Sequence, residues 1–231
     1  MKSILKKNWK DRKGQIFLVC TVIITIYLLS FINIIYELNV NQYTETTTVE
    51  EFEAAYQNFK TETNGYVTSL LANYTQPGSI IATNATAGQL LQSWLDFAEL
   101  QMISRGYIAI FEINEIIPTT VPVELVSSNG FVGFRGLIDI YMECNYLSID
   151  TQFSYDMNYT LSYVNTATNA LIEFSFGSLS GIEYLGYATV TVNAAPTTSY
   201  NNGTYLAAAP LVGGDVIEAT TADQIIVTYV V

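Results

Sequence analysis

Leu147-Ser-Ile-Asp-Thr-Gln-Phe-Ser-Tyr-Asp-Met-Asn-Tyr-Thr-Leu-Ser-Tyr163 decides how the larger part of this chain folds. Leu147, Ile149, Thr151, Phe153, Tyr155, Met157, Tyr159, Leu161 and Tyr163 alternate with Ser148, Asp150, Gln152, Ser154, Asp156, Asn158, Thr160 and Ser162. A period of two places the first set on one face of a β-strand and the second on the other. Strands usually hold about 5–6 residues. A run this long predicts a curved ribbon, or a bend partway with a bulge.

The same period extends upstream. Val132, Phe134, Gly136, Ile138, Ile140, Met142 and Cys144 form one face, with Arg135, Asp139 and Glu143 on the other. Ser128-Asn129-Gly130 is a hairpin signal. Tyr107–Ile113 is apolar on both faces and reads as a central strand, and Pro118 and Pro122 bracket a turn or an edge. Downstream, Ala170–Phe176, Leu185–Asn193, Thr204–Ala208 and Gln224–Val231 read as strands, separated by turn clusters that include Ala194–Asn202. The last of them is expected inside a sheet, with an edge that pairs with a neighbour as the alternative.

Before residue 107 the period is helical. Thr48-Val-Glu-Glu51 is a capping box, and Val49, Phe52, Ala55, Phe59, Tyr66, Val67, Leu70 and Leu71 follow at helical spacing. Thr63 interrupts that stripe, and Pro77-Gly78 ends the segment. Thr86-Ala-Gly-Gln89 is a second capping box. It opens a helix over 87–105 that is expected to bury Leu90, Leu91, Trp94, Leu95, Ala98, Met102 and Ile103. Helices followed by antiparallel strands give an α+β domain, either a sheet covered by the two helices or a β-sandwich.

Gln15 to Tyr36 contains no charged residue and is mostly Ile, Leu, Val, Phe and Thr. A bilayer core takes about 20 apolar residues as a helix. The run exceeds a secretory h-region of about 7–15 residues and lacks a small-residue cleavage site after it, so it is expected to remain as an anchor. Lys2, Lys6, Lys7, Lys10, Arg12 and Lys13 precede it, and only Lys60, Arg105 and Arg135 follow. That asymmetry places the N-terminus in the cytoplasm and the remainder outside. The expected organisation is a basic cytoplasmic leader (1–14), a transmembrane helix (15–36), a linker (37–47) and an extracellular domain (48–231), helical over 48–106 and β-rich over 107–231. The outer part carries 20 of the 21 acids and 3 of the 9 bases, a net charge of −17. Such a domain repels nucleic acid and anionic lipid.

Lys13-Gly14-Gln15 followed by this apolar run resembles the class III signal peptide of archaeal type IV pilins, archaellins and pilin-like surface proteins. The resemblance covers the first 36 residues. It implies cleavage after Gly14 by a prepilin peptidase and a mature chain that begins at Gln15. Val19 stands where many type IV pilins have a Glu. The first helix of archaeal pilins often continues into the head, whereas the linker expected here would end it near Leu38. An ordinary uncleaved anchor is the other reading of the basic cluster.

Little in the sequence carries chemistry. There is no His, which removes Ser-His and Cys-His pairs and His-containing zinc sites. No phosphate-binding Gly-rich loop or Cys-x-x-Cys is present, so no catalytic, cofactor-binding or metal-ligating residue is assigned. Glu112, Glu115, Asp139 and Glu143 are the candidate paired carboxylates, and all four read better as solvated strand faces. Cys20 and Cys144 are expected not to pair, with Cys144 a buried, inert thiol. Asn73, Asn84, Asn158 and Asn202 each begin an Asn-x-Thr sequon, with Asn73 the least favoured because it lies near a helix end. The expected function is that of a non-enzymatic, pilin-like cell-surface glycoprotein, a minor or accessory structural subunit of a filament or related envelope assembly. Its partners would be the lipid bilayer and other pilin-like subunits or S-layer and envelope proteins. The alternative is an uncleaved, single-pass ectodomain that binds an envelope partner or a sugar.

Overall fold

Residues 15–64 contain neither Gly nor Pro, so nothing in them breaks a helical hydrogen-bond ladder. The computed structural model describes the backbone of residues 2–116, 121–145 and 147–231, and the side chains of these from 23 onward except 38–48. In it the first helix, α1, spans Lys2–Thr75, 74 residues. Two expectations are thereby corrected. Residues 37–47 are helical, not a linker, and Thr48 opens no helix. Asn and Thr are weak helix formers, but by at most about 0.7 kcal/mol per residue. That is too little to stop a helix propagating from both flanks. Among the described residues no helix is long and apolar enough to cross a membrane. The side chains of residues 15–22, part of the expected span, lie outside those described.

The chain forms two compact units, residues 1–54 and 55–231. The described residues of the first, from Lys2, are helical throughout. The second is α+β. It contains the end of α1, the helix α2 (Asn84–Ser104), and strands β1 (Ile108–Asn114), β2 (Val123–Ser128), β3 (Phe131–Cys144), β4 (Leu147–Asn165), β5 (Ala170–Ser178) and β6 (Gly181–Tyr184). There follow β7 (Thr189–Val192), β8 (Ala195–Pro196), β9 (Thr198–Ser199), β10 (Thr204–Ala207), β11 (Val216–Thr220) and β12 (Ile226–Val230). An eight-stranded sheet has the order β1-β3-β4-β5-β10-β9, with β2 also on β3 and β6 also on β5. A four-stranded sheet has the order β12-β11-β7-β8.

The alternating stretches behave as their period demands. β4 holds one continuous antiparallel register with β3, from Phe131 opposite Thr160 to Cys144 opposite Leu147, and another with β5. No bulge interrupts either ladder. Along the inner face Phe134, Ile138, Ile140, Met142, Tyr155, Met157, Tyr159 and Leu161 are buried. Asn129-Gly130 forms the β2–β3 turn, with Gly130 at φ +74°.

The helices cover part of that face. Phe59 of α1 stacks on Phe111 of β1 at 4.0 Å, and Tyr66 stacks on Trp94 of α2 at 5.0 Å. Thr63, the gap in the apolar stripe, is fully buried. Its hydroxyl donates to Phe59 O (2.8 Å) and accepts from the Trp94 indole N–H (3.3 Å). Val67, Leu70 and Leu71 are buried as expected, and Val49 is exposed. α2 starts earlier than the Thr86 box implies. Thr83 is the N-cap, and its hydroxyl accepts from Thr86 N–H at 3.2 Å. Leu91, Leu95, Ala98 and Met102 face the core, but Ile103 is exposed and Leu90 and Trp94 are half-buried.

Three strand assignments change. β1 ends its sheet and is not central, since Ile108 and Ile110 remain exposed on its outer face. The expected Leu185–Asn193 strand is shortened to β7, with β6 ending just before it. Gly186 lies between them, pressed so close to Asn201 that a Cβ would fall 2.5 Å from the Asn201 backbone. β6, β8, β9 and β11 are additional. Pro118 lies outside the described residues, and Ile116 bridges Val121 beside that gap.

Candidate functional site

The largest run of uncovered apolar side chains lies on α1. Ile23, Ile24, Ile26, Tyr27, Leu28, Leu29, Phe31, Ile32, Ile34, Ile35 and Tyr36 are all exposed. They occupy every side of the helix, so they form no amphipathic stripe. The polar Ser30 hydroxyl in this run donates to Ile26 O at 3.0 Å and so satisfies itself within the helix. The side chains of Lys13, Gly14 and Gln15 lie outside the described residues.

The four sequon asparagines sit in different surroundings. Asn73 is exposed in the last turn of α1, but its sequon threonine, Thr75, donates to Ala72 O and accepts from Ile226 N–H at 3.0 Å. Asn84 is half-buried, and its side-chain oxygen accepts from Leu125 N–H of β2 at 3.0 Å. Asn158 lies mid-strand between two paired neighbours, opposite Gly133 and Gly177. Its amide folds over Gly177, where a Cβ would meet it at 2.4 Å. Asn202 is exposed in a tight turn between Asn201 (φ +59°) and Gly203 (φ +81°).

Side-chain amides that the sequence reading passed over prove to be structural. Gln92 of α2 spans β1, donating to Phe111 O and accepting from Ile113 N–H. Asn129 does the same for β12, donating to Val230 O at 2.8 Å and accepting from Val230 N–H. Gly130 N–H adds a bond to Thr228 O at 2.8 Å. The strand at the C-terminus therefore does lie at an edge, and the β2–β3 turn of its own chain occupies that edge. Only the turn signal at Asn129-Gly130 was visible beforehand.

The candidate carboxylates do not converge on a cleft. Asp139 accepts from Asn114 and Gln152 side chains at 2.9 and 2.7 Å. Glu143 accepts from the Tyr141 hydroxyl, and this bond is the main reason that the Tyr141 pKa is raised. Glu112 lies opposite Asp139 in the β1–β3 register, and Glu115 follows β1 on the surface. Cys144 is free and half-buried, less enclosed than its face of the strand implied. An open groove of about 650 Å³ is lined by Asn64, Phe153, Tyr155, Met157, Phe176 and Leu179, among others. Lys60 Nζ lies 4.5 Å from the Phe153 ring. Among the described residues no group of His, Cys, Asp and Glu could hold a metal ion.

Comparison with known proteins places the chain in no group. No family model, curated protein or solved structure matches it.

Proposed function

We propose that this chain is a membrane-anchored, pilin-like surface subunit with its β-rich unit outside the cell. In this reading the apolar part of α1 is both anchor and assembly element, and Lys13-Gly14-Gln15 is the processing site. The observation that carries it is the run Ile23–Tyr36, where eleven large apolar side chains stay exposed. Burying such a side chain stabilises by about 1.5–3 kcal/mol, so a helix of this kind needs an apolar medium or other apolar helices around it. The unbroken α1 adds support. It removes the early helix end that had set this chain apart from archaeal pilins. The closure of β1 and β12 by Gln92 and Asn129 also favours helix-based assembly over strand exchange. Val19 and the large head still favour a minor or accessory place.

Intact mass and N-terminal sequencing of the protein from its own membranes test the proposal. The expected mature chain begins at Gln15, with Met1–Gly14 absent. A chain that still begins at Met1 would sink the pilin-like reading and leave a single-pass anchored ectodomain.

A further inference from the structure

We propose that Asn202 is the acceptor for an N-linked glycan on the folded head, and that the Tyr200 ring packs against its first sugar. The inference rests on the outward location proposed above. Four sequons compete, and the fold separates them.

Three are already committed. The Asn84 side-chain oxygen is bonded to Leu125 N–H, and the hydroxyl of its sequon threonine, Thr86, lies 3.0 Å from that of the Thr83 cap. Thr75, of the Asn73 sequon, is held by Ala72 and Ile226. Asn158 stands in an extended strand paired on both sides, where the backbone cannot curl to bring Thr160 onto the amide.

Asn202 differs in exposure and in the partner of its side-chain oxygen, which is its own sequon residue Thr204 at the start of β10 and not a distant strand. It is exposed, in the turn Tyr200-Asn201-Asn202-Gly203-Thr204. Thr204 N–H donates to Asn202 Oδ1 at 3.1 Å, so the Asn-x-Thr segment is already bent back on itself. Tyr200 N–H donates to Thr204 O at 3.0 Å, which sets the tyrosine across the turn from the sequon threonine. Tyr200 is 53% exposed, two residues before the acceptor. Gly203 allows the turn to form, since its φ is +81° and a Cβ would lie 2.5 Å from Tyr184 Cβ. An aromatic face takes up the C–H face of a sugar, as tyrosines do at other half-wet surfaces. The transfer needs a lipid-phosphate-activated oligosaccharide. The Asn202 Nδ2–C1 bond forms, the C1–O bond to the lipid phosphate breaks, the phosphate leaves with that electron pair, and one Nδ2 proton passes to a base of the transferase.

Glycopeptide mass spectrometry of the full chain from its own cells tests this, with protease accessibility of the head on whole cells measured in parallel. The expected result is glycan on Asn202 and none on Asn84. A bare Asn202 on an accessible head overturns the inference and leaves the surface location standing. An inaccessible head overturns both. An Asn84 occupied as fully as Asn202 overturns selection by the folded head. For the tyrosine, the glycosylated chain should have an unfolding equilibrium constant roughly threefold below that of N202Q. The difference should vanish in a Y200A background and persist in Y200F. A difference unchanged by Y200A overturns the stacking role.

Discussion

Tyr155 carries a hydroxyl into the core at a place where alternation demands an apolar side chain. It is 4% exposed, and its oxygen makes no hydrogen bond of ordinary geometry, with the buried Thr63 hydroxyl close enough to act on it only weakly. A buried unpaired polar group costs about 1–3 kcal/mol. Tyr155→Phe keeps the ring and removes that cost, so it should raise stability by about 1 kcal/mol in urea unfolding. A loss of stability would mean that the hydroxyl has a partner after all. Gly130 is the opposite case. Its φ is +74°, and a Cβ would lie 2.4 Å from the Tyr229 ring and 2.6 Å from Leu161 O. Gly130→Ala combines left-handed strain with overpacking and should cost about 2–4 kcal/mol. Asp215 sets an acid limit. Val212 N–H at 2.7 Å and Asn193 at 2.8 Å hold its carboxyl below the usual value. A depressed carboxylate contributes stability above the ordinary Asp pKa and loses it as pH falls through the folded value. Between pH 4 and 2 wild type should therefore lose more stability than Asp215→Asn, as read from urea midpoints.

At the level of elements, the sheets are closed by side chains as well as by strands. Gln92 serves β1, Asn84 serves β2 and Asn129 serves β12. The other free ends are short, with two residues in β8 and β9 and four in β6. Unpaired edges recruit other chains, and short or capped edges do not. Asn129→Ala should cost about 1 kcal/mol and expose the Val230 backbone to intermolecular pairing. Light scattering across a concentration series in detergent should then show larger oligomers than wild type. Unchanged mass at every concentration would remove Asn129 from that role. α1 makes the related point for helices. Its Asn- and Thr-rich stretch at 37–47 has no apolar period, and absence of a period reads as a linker. A helix needs a breaker in order to end, and none is present.

For the molecule as a whole, buried tyrosines set the alkaline limit. Burial, with Asp223 adding, pushes Tyr159 up to about 12, and burial pushes Tyr155 up as well. Their neutral forms are favoured in the folded state. The stability they contribute is complete below pH 10 and is lost as pH rises from the ordinary tyrosine value toward the folded ones. Phenolate absorbance should therefore show a late, cooperative group of tyrosines that ionises together with loss of far-UV circular dichroism. Ionisation of every tyrosine near pH 10 in a still-folded head would contradict this. The sequence by itself determined the α+β class, the long strands β3 and β4 and their inner faces, because a period of two admits one burial pattern. It also determined the apolar character of residues 15–36 and the charge asymmetry around them, which are properties of composition. Tertiary structure alone decided the position of β1 at a sheet end, the closure of β12 by a distant turn and the separation of Asn202 from the other three sequons. Each of these depends on partners far away in the chain, such as Asn129 with Val230 or Asn84 with Leu125, and no local period encodes such a pairing.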